Sequence, residues 1–218
     1  MLKAAIFDLD GTIADTLDDI TESINLMLSE LGFKPLSRVE TLRNINHGAF
    51  ELVRRSLPSE YSDDTTYIKK ALSIYERYYS NCYNSKTYLY KDINSVIALL
   101  KEKRIKLAVL SNKQDIFVKN IIFKLFGENT FDIVLGQGRF PPKPSPESGN
   151  FICEQLSLSP NQIAMVGDSH VDMLTAKAVG FVPIGVTWGY RSREVLTENG
   201  ALYLADKPHE LYDIIFSL

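Results

Sequence analysis

Short apolar runs alternate along this chain with stretches in which apolar residues recur every three or four positions. The first run starts at Ala4 and stops at Asp8-Leu9-Asp10-Gly11-Thr12, which predicts a buried parallel strand that ends in a loop. After Thr12 the spacing becomes helical and ends at Gly32, which predicts a helix of about four turns. The N-terminal segment is therefore predicted to form a strand, a carboxylate-bearing loop and a helix.

Between residues 13 and 90 the pattern predicts helices and no strand. Three further helices are predicted in this block, around Arg38–Asn46, Ala49–Leu57 and Asp64–Asn84. The block is too long to be a simple crossover between two parallel strands, so it predicts a helical insertion. We expect the core to comprise residues 1–14 and 88–218, and the insertion to comprise residues 15–87.

From Asp92 onward, predicted strands and helices alternate regularly. The strands are predicted at Lys106–Leu110, Ile133–Leu135, Ile163–Val166, Val182–Val186 and Leu202–Leu204. The helices are predicted near Ile93–Leu100, Ile116–Phe126, Glu147–Leu156, Val171–Val179 and His209–Phe216. This alternation is typical of an α/β protein whose parallel sheet carries helices on both faces.

Composition narrows the class of protein. The chain has 218 residues, a net charge of -3 and 45% hydrophobic residues, which is ordinary for a globular protein and gives no indication of a nucleic-acid or membrane surface. Cys82 and Cys153 are too few and too far apart for a disulfide framework or a zinc site. The N-terminus has no pattern of a secretory signal. We expect a cytoplasmic protein with a small-molecule partner.

The candidate chemistry lies in loops that follow predicted strands. These loops carry Asp8 and Asp10, Ser111 and Asn112, Lys143, and Asp168 and Asp172. Ligands of open parallel sheets bind at the carboxyl ends of the strands, so these groups are expected at one edge. Two carboxylates about 4 Å apart repel by roughly 4 kcal/mol at an effective dielectric near 20, so a proton or a cation such as Mg²⁺ must offset them. Together the groups could support phosphoryl transfer.

Four ordered motifs resemble those of the haloacid dehalogenase superfamily. They are Asp8-Leu9-Asp10-Gly11-Thr12, Leu110-Ser111-Asn112, Lys143-Pro144 and Gly167-Asp168-Ser169-His170-Val171-Asp172. The resemblance implies a Rossmann-like core, with the insertion as an α-helical cap. Asp15-Thr16, the Lys-Pro-x-Pro loop and Gly185–Tyr190 are similar to the phosphoglycolate phosphatase-like subgroup.

The resemblance also implies a role for each residue. Asp8 would attack phosphorus and become an aspartyl phosphate, while Asp10 would protonate the leaving group and then activate water. The phosphoryl group would be bound by residues of the first three motifs, namely Thr12, Ser111, Asn112 and Lys143. Mg²⁺ would be held by Asp8, by Asp10 through its main-chain carbonyl, and by Asp168. Asp172 would lie in the outer shell or hold metal-bound waters.

The insertion is expected to choose the substrate, and the core motifs leave several activities open. His47, in the loop Asn44–Gly48, is a candidate contact to the leaving group. The alternatives on the same core are a β-phosphoglucomutase-like phosphomutase and a pyrophosphatase, and a more remote one is a receiver-type phosphoacceptor domain. Tyrosines at helical spacing over Tyr75–Tyr83 predict a packed helix face or a dimer contact, so we expect a monomer or a homodimer.

Overall fold

The computed structural model describes residues 1–218, which form two compact units. The first unit comprises Met1–Asp15 and Leu89–Leu218, and the second comprises Thr16–Tyr88. The strands are β1 Ala4–Phe7, β2 Ala14–Asp15, β3 Tyr88–Leu89, β4 Lys106–Gln114, β5 Ile133–Gln137, β6 Ile163–Gly167, β7 Val182–Val186 and β8 Tyr203–Ala205. The α-helices are α1 Leu17–Glu30, α2 Arg38–Asn44, α3 Ala49–Ser56, α4 Thr65–Cys82, α5 Ile93–Glu102, α6 Asp115–Phe126, α7 Glu147–Leu156, α8 His170–Val179, α9 Arg193–Glu198 and α10 Glu210–Ser217.

The first unit is built on a six-stranded parallel sheet with the order β5-β4-β1-β6-β7-β8. Strand β1 lies between β4 and β6, and Phe7 is in register with Val109 on one side and Val166 on the other. The carboxyl ends of these three parallel strands therefore point toward the same edge of the sheet. The α/β fold predicted from the alternation is confirmed.

Burial on both faces of the sheet explains the continuous apolar runs in the sequence. Ala4 and Ile6 of β1 belong to a cluster that includes Ile152 of α7 and Ala176 of α8. Alternate strand residues point to opposite faces, so Phe7 lies on the other face, where α5 and α6 pack against β4. A strand that is covered on both sides needs apolar residues at every position.

The second unit contains the helices α1–α4. Ser37 and Glu40 form a capping box at the start of α2, and Asp64 accepts two backbone N–H bonds at the start of α4. Asp19 of α1 is fully buried and accepts hydrogen bonds from the backbone N–H groups of Lys86 and Thr87, each at 2.9 Å. This carboxylate therefore fixes the segment through which the chain returns to the first unit.

Some elements differ from the prediction. We expected no strand between residues 13 and 90, but β2 and β3 pair as a two-stranded sheet, and two residues per strand are too few to leave a period in the sequence. Strand β4 continues beyond Leu110 to Gln114 through a shift in its pairing with β5. The short helix α9 was not predicted. In none of the helices is the apolar stretch sufficient to span a lipid bilayer.

Candidate active site

Asp8 is the first residue after β1 and lies where the strand leaves the sheet. Its backbone N–H still donates to the Val166 carbonyl at 2.9 Å, which keeps the residue beside β6. Its Oδ1 accepts from the backbone N–H of Leu9 at 2.7 Å and lies 3.0 Å from Nζ of Lys143. The residue is buried, with 8% of its surface exposed. A carboxylate held in this way has a defined orientation toward the sheet edge.

Lys143 is buried and bonded at every donor position. Its ammonium donates to the Leu110 carbonyl at 2.8 Å and to Oδ1 of Asp172 at 2.6 Å, and Asp8 supplies the third acceptor. An ammonium group has three donors, so this set satisfies it. Asn112 fixes the lysine's backbone, because its side-chain amide accepts from the Lys143 N–H at 2.7 Å and donates to the Lys143 carbonyl at 3.0 Å.

Asp168 and Asp172 follow β6 and complete an acidic cluster with Asp8. One carboxylate oxygen from each of the three residues lies within 4.8 Å of the other two. Asp172 also caps α8, because its Oδ2 accepts from the Ser169 N–H at 3.1 Å and from the Ser169 hydroxyl at 2.7 Å. Both of its oxygens are therefore used, one on the helix end and one on Lys143.

Asp168 is packed between two backbone segments that approach it closely. A Cβ at Gly11 would lie 2.3 Å from Asp168 Oδ2, and one at Gly189 would lie 2.3 Å from Asp168 Cβ. Gly11 also has a φ of +86°, a conformation that favours glycine. The Asp168 carboxylate accepts from the Tyr190 N–H at 2.7 Å and from the Thr12 hydroxyl at 3.3 Å. Its position is thus set by both loops.

The electrostatics of the cluster reflect an excess of buried negative charge. Burial raises the pKa of Asp8 to about 7, although the neighbouring Lys143 works in the opposite direction. Burial, followed by the charges of Asp172 and Asp8, raises the pKa of Asp168 well above its ordinary value. Burial opposes the charged form of Lys143, but the attraction of Asp172 and Asp8 prevails and raises its pKa. One lysine cannot neutralise three carboxylates.

The donor set fits a hard divalent cation. Asp8, Asp168 and Asp172 offer only oxygen ligands, and together with Lys143 they leave two uncompensated negative charges when all are ionised. Buried charges are costly unless they are paired or bind a metal. Oxygen donors with this excess charge are suited to Mg²⁺ and related ions. The cluster can therefore hold a divalent metal ion.

We expect the stabilisation by Mg²⁺ to increase with pH. Because the pKa of Asp8, about 7, exceeds that of an unfolded aspartate, the metal-free folded state binds more protons, and its stability falls as the pH rises from about 4 to 7. Mg²⁺ competes with those protons, so the gain in Tm on adding it should be larger at pH 8 than at pH 5. Thermal melts with Mg²⁺ or EDTA at constant ionic strength measure both gains. An equal gain at both pH values would contradict this expectation.

The remaining candidates of the core lie around this cluster. Ser111, Asn112 and Lys143 line one pocket, together with Gln137 and Phe140. The Ser111 hydroxyl is buried and accepts from the Lys113 N–H at 3.3 Å. The side chain of Asn112 is engaged on Lys143, as described above, and that of Thr12 is engaged on Asp168. These two candidates for phosphate binding thus position neighbouring residues of the site.

Asp10 and His47 occupy different environments. Asp10 forms an isolated bridge with Ala14 and an ion pair with Lys113, in which Nζ lies 2.8 Å from Oδ1. His47 belongs to the second unit, in the loop between α2 and α3. Its role as a contact to the leaving group stays a prediction.

Two residues near the cluster were not singled out from the sequence. Tyr190 binds Asp168 through its backbone, and its hydroxyl donates to Asp15 at 2.9 Å. Lys113 is the buried partner of Asp10. The signal for Lys113 in the sequence is its place directly after Ser111 and Asn112, at the end of a predicted strand. Tyr190 lies in the Gly185–Tyr190 segment, which resembles the family, but no spacing rule links that segment to Asp168.

The fold and the site define an α/β enzyme with an acidic, lysine-containing centre at the carboxyl edge of a parallel sheet. The sequence model of the haloacid dehalogenase-like hydrolases matches residues 5–186. A phosphoglycolate phosphatase of Neisseria meningitidis serogroup A is 33% identical over 203 residues, which are 92% of this chain and 86% of the relative. Another, from Colwellia psychrerythraea, is 30% identical over 214 residues, covering 96% and 95% of the two chains.

Solved structures agree with these sequence relatives. A crystal structure from Lactobacillus delbrueckii subsp. bulgaricus, described provisionally as a phosphoglycolate phosphatase, is 28% identical and has a TM-score of 0.89 over 98% of each chain. The chain belongs to the haloacid dehalogenase-like hydrolase family. Within that family it is a phosphatase of the phosphoglycolate phosphatase-like group.

Proposed function

We propose that this protein is a Mg²⁺-dependent phosphatase that hydrolyses small phosphate monoesters, with phosphoglycolate as the leading substrate. The observation that carries the proposal is the buried Asp8 carboxylate, 3.0 Å from Lys143 and within the acidic cluster. The names of the sequence relatives favour phosphoglycolate over other esters. Asp8, the main-chain carbonyl of Asp10 and Asp168 would hold the metal, with Asp172 behind them. When bound, Mg²⁺ supplies positive charge to the transferring phosphoryl group.

The reaction uses two half-reactions in this proposal. Asp8 attacks phosphorus and becomes an aspartyl phosphate, while Asp10 protonates the departing alkoxide. Asp10 then takes a proton from the water that attacks the aspartyl phosphate, which returns Asp8 as a carboxylate. Ser111 and Lys143 hold the phosphoryl oxygens, the ammonium exchanging its bond to Asp8 for one to a phosphoryl oxygen when Asp8 is phosphorylated. Asn112 contributes by holding the backbone of Lys143 in place.

The test is the release of inorganic phosphate from a panel of phosphate compounds. The panel contains phosphoglycolate, sugar phosphates, nucleoside monophosphates, p-nitrophenyl phosphate and pyrophosphate, each assayed with Mg²⁺ and with EDTA. We expect hydrolysis of monoesters, highest kcat/KM for phosphoglycolate and no turnover in EDTA. Release from pyrophosphate alone, or transfer of phosphate between sugar phosphates without net release, would assign the protein to one of the other activities.

We also expect that His47→Ala will change specificity and leave the core chemistry intact. If the His47 loop contacts the non-reacting part of the substrate, the variant should lose kcat/KM for phosphoglycolate by roughly 10-fold and keep its rate on p-nitrophenyl phosphate. The panel above measures both. Unchanged ratios across the panel would show that His47 does not select the substrate. Arg55→Ala is a matched control. It removes an exposed ion pair between Arg55 and Glu51, both of which lie on α3, the helix that follows His47.

A further inference from the structure

Lys113 differs from the other paired lysines of this protein. Its ammonium lies 2.8 Å from Oδ1 of Asp10, and only 7% of its side chain is exposed. The lysines that pair with carboxylates at the surface, Lys86, Lys106 and Lys119, are more than half exposed. Only Lys143, at the centre of the acidic cluster, is more deeply buried among the paired lysines. Exposed pairs contribute little to stability, whereas a buried pair fixes the geometry of both partners.

The local structure of β4 delivers Lys113 to this position. The pairing of β4 with β5 shifts between Leu110 and Gln114, so the residues between them leave the regular ladder. In this irregular stretch Ser111 and Asn112 line the pocket beside Lys143, and Lys113 reaches Asp10. Strand β4 is the direct neighbour of β1, which explains why its end can contact the loop that follows β1.

We propose that Lys113 is a positioning residue for Asp10. This inference rests on the proposed function, in which Asp10 gives a proton to the leaving oxygen as the Asp8–phosphorus bond forms and the phosphorus–leaving-group bond breaks. In the second half-reaction Asp10 takes the proton of the water whose oxygen bonds to phosphorus as the Asp8–phosphorus bond breaks. Proton transfer requires the carboxylate within hydrogen-bond reach of each oxygen in turn. Lys113 holds Oδ1 and thereby restricts the orientation of the whole group.

The test separates the two half-reactions by the choice of substrate. The leaving group of p-nitrophenyl phosphate is stable as an anion, so phosphorylation of Asp8 by this ester needs little help from Asp10. In Lys113→Met we expect a normal burst of p-nitrophenolate, followed by a steady rate that is about 10- to 100-fold lower than that of the wild type. This factor is part of the rate enhancement that general acid–base catalysis provides. The phosphoenzyme should accumulate during turnover, and acid-quenched samples should contain more of it than those of the wild type. Phosphoglycolate has a leaving group that needs the proton from Asp10. With this substrate, phosphorylation of Asp8 should itself slow by a similar factor.

Three further variants decide whether Lys113 acts through Asp10. Lys113→Arg keeps a cation in reach and should recover much of the lost rate. Lys113→Met introduced into Asp10→Asn should cause no further loss, because the carboxylate that Lys113 positions is already absent. Lys119→Met removes an exposed ion pair between Lys119 and Asp115, both of which lie on α6, and should behave as wild type.

The outcomes distinguish this inference from the proposed function. If the wild-type protein forms no phosphoenzyme and releases no phosphate, the proposed function fails. If the wild type behaves as proposed but Lys113→Met slows both half-reactions equally on p-nitrophenyl phosphate, the positioning role is overturned. An increase in KM alone, or an additive loss in the Asp10→Asn background, would overturn it too, because Lys113 would then act on the substrate directly.

Discussion

Asp8→Asn is expected to remove phosphate release from every ester of the panel, with a loss of roughly four orders of magnitude or more. The amide is close in shape to the carboxylate but is a far weaker nucleophile, so no aspartyl phosphate can form. Asp10→Asn should behave differently, because Asp8 is intact. It should still be phosphorylated by p-nitrophenyl phosphate and should then hydrolyse the phosphoenzyme slowly. Acid quenching followed by phosphate analysis of the protein measures this contrast.

The stability of Asp8→Asn is an internal control for its activity. Burial raises the pKa of Asp8 to about 7, so a neutral side chain is tolerated at this position in the absence of metal. We therefore expect the variant in EDTA to melt at or above the wild-type temperature near pH 8. An inactive variant with an intact fold attributes the loss to chemistry. A fully active Asp8→Asn would end the assignment of the nucleophile.

The position of the site could be predicted because a parallel sheet brings the ends of its strands to one edge. Asp8 follows β1 and Asp168 follows β6, and these strands are adjacent and in register. The motif containing Lys143 lies in a loop after β5, two strands away from β1, yet its ammonium reaches Asp8. The order of motifs along the chain was therefore sufficient to propose the acidic centre.

The supporting contacts could not be predicted in the same way. Asn112 binds the backbone of Lys143 from 31 residues away, and Tyr190 binds Asp168 from 22 residues away. Such contacts depend on the shift in β4 and on the path of two loops, neither of which follows from hydrophobic spacing. The pair between Lys113 and Asp10 has the same origin. Sequence reasoning identified the charged groups at the strand ends but not these supporting contacts.

The environment of Asp172 shows why its role was the least defined. Sequence alone left this residue between an outer-shell position and a ligand of metal-bound water. In the structure its carboxylate links the first turn of α8 to the ammonium of Lys143, through Ser169 on one oxygen and Nζ on the other. Asp172 thus orients the lysine that lies beside Asp8. The lysine is the only cation within contact distance of both carboxylates, so its removal should have a large effect.

Lys143→Met should impair both activity and stability. The variant keeps most of the unbranched side chain but leaves Asp8 and Asp172 without their shared partner in a buried site. Removing one partner of a buried ion pair costs about 3–5 kcal/mol, which for a protein of this size is a decrease in Tm of roughly 10 °C. Phosphate release should fall by at least 100-fold, because in the proposed mechanism this ammonium holds the phosphoryl oxygens. Thermal melts and the phosphate assay measure the two effects.

The effect of Mg²⁺ on the Tm of Lys143→Met shows whether its loss of stability comes from charge or from packing. If the loss in Tm arises from uncompensated carboxylates, Mg²⁺ should raise the Tm of Lys143→Met by more than it raises that of the wild type, while activity stays low. Lys106→Met, which breaks the exposed pair with Asp132, should change neither quantity measurably. A Lys143→Met variant that melts like the wild type in EDTA would show that the acidic cluster is neutralised by protons alone. Lys143 would then act only on the phosphoryl group of the substrate and would not be needed to neutralise the substrate-free site.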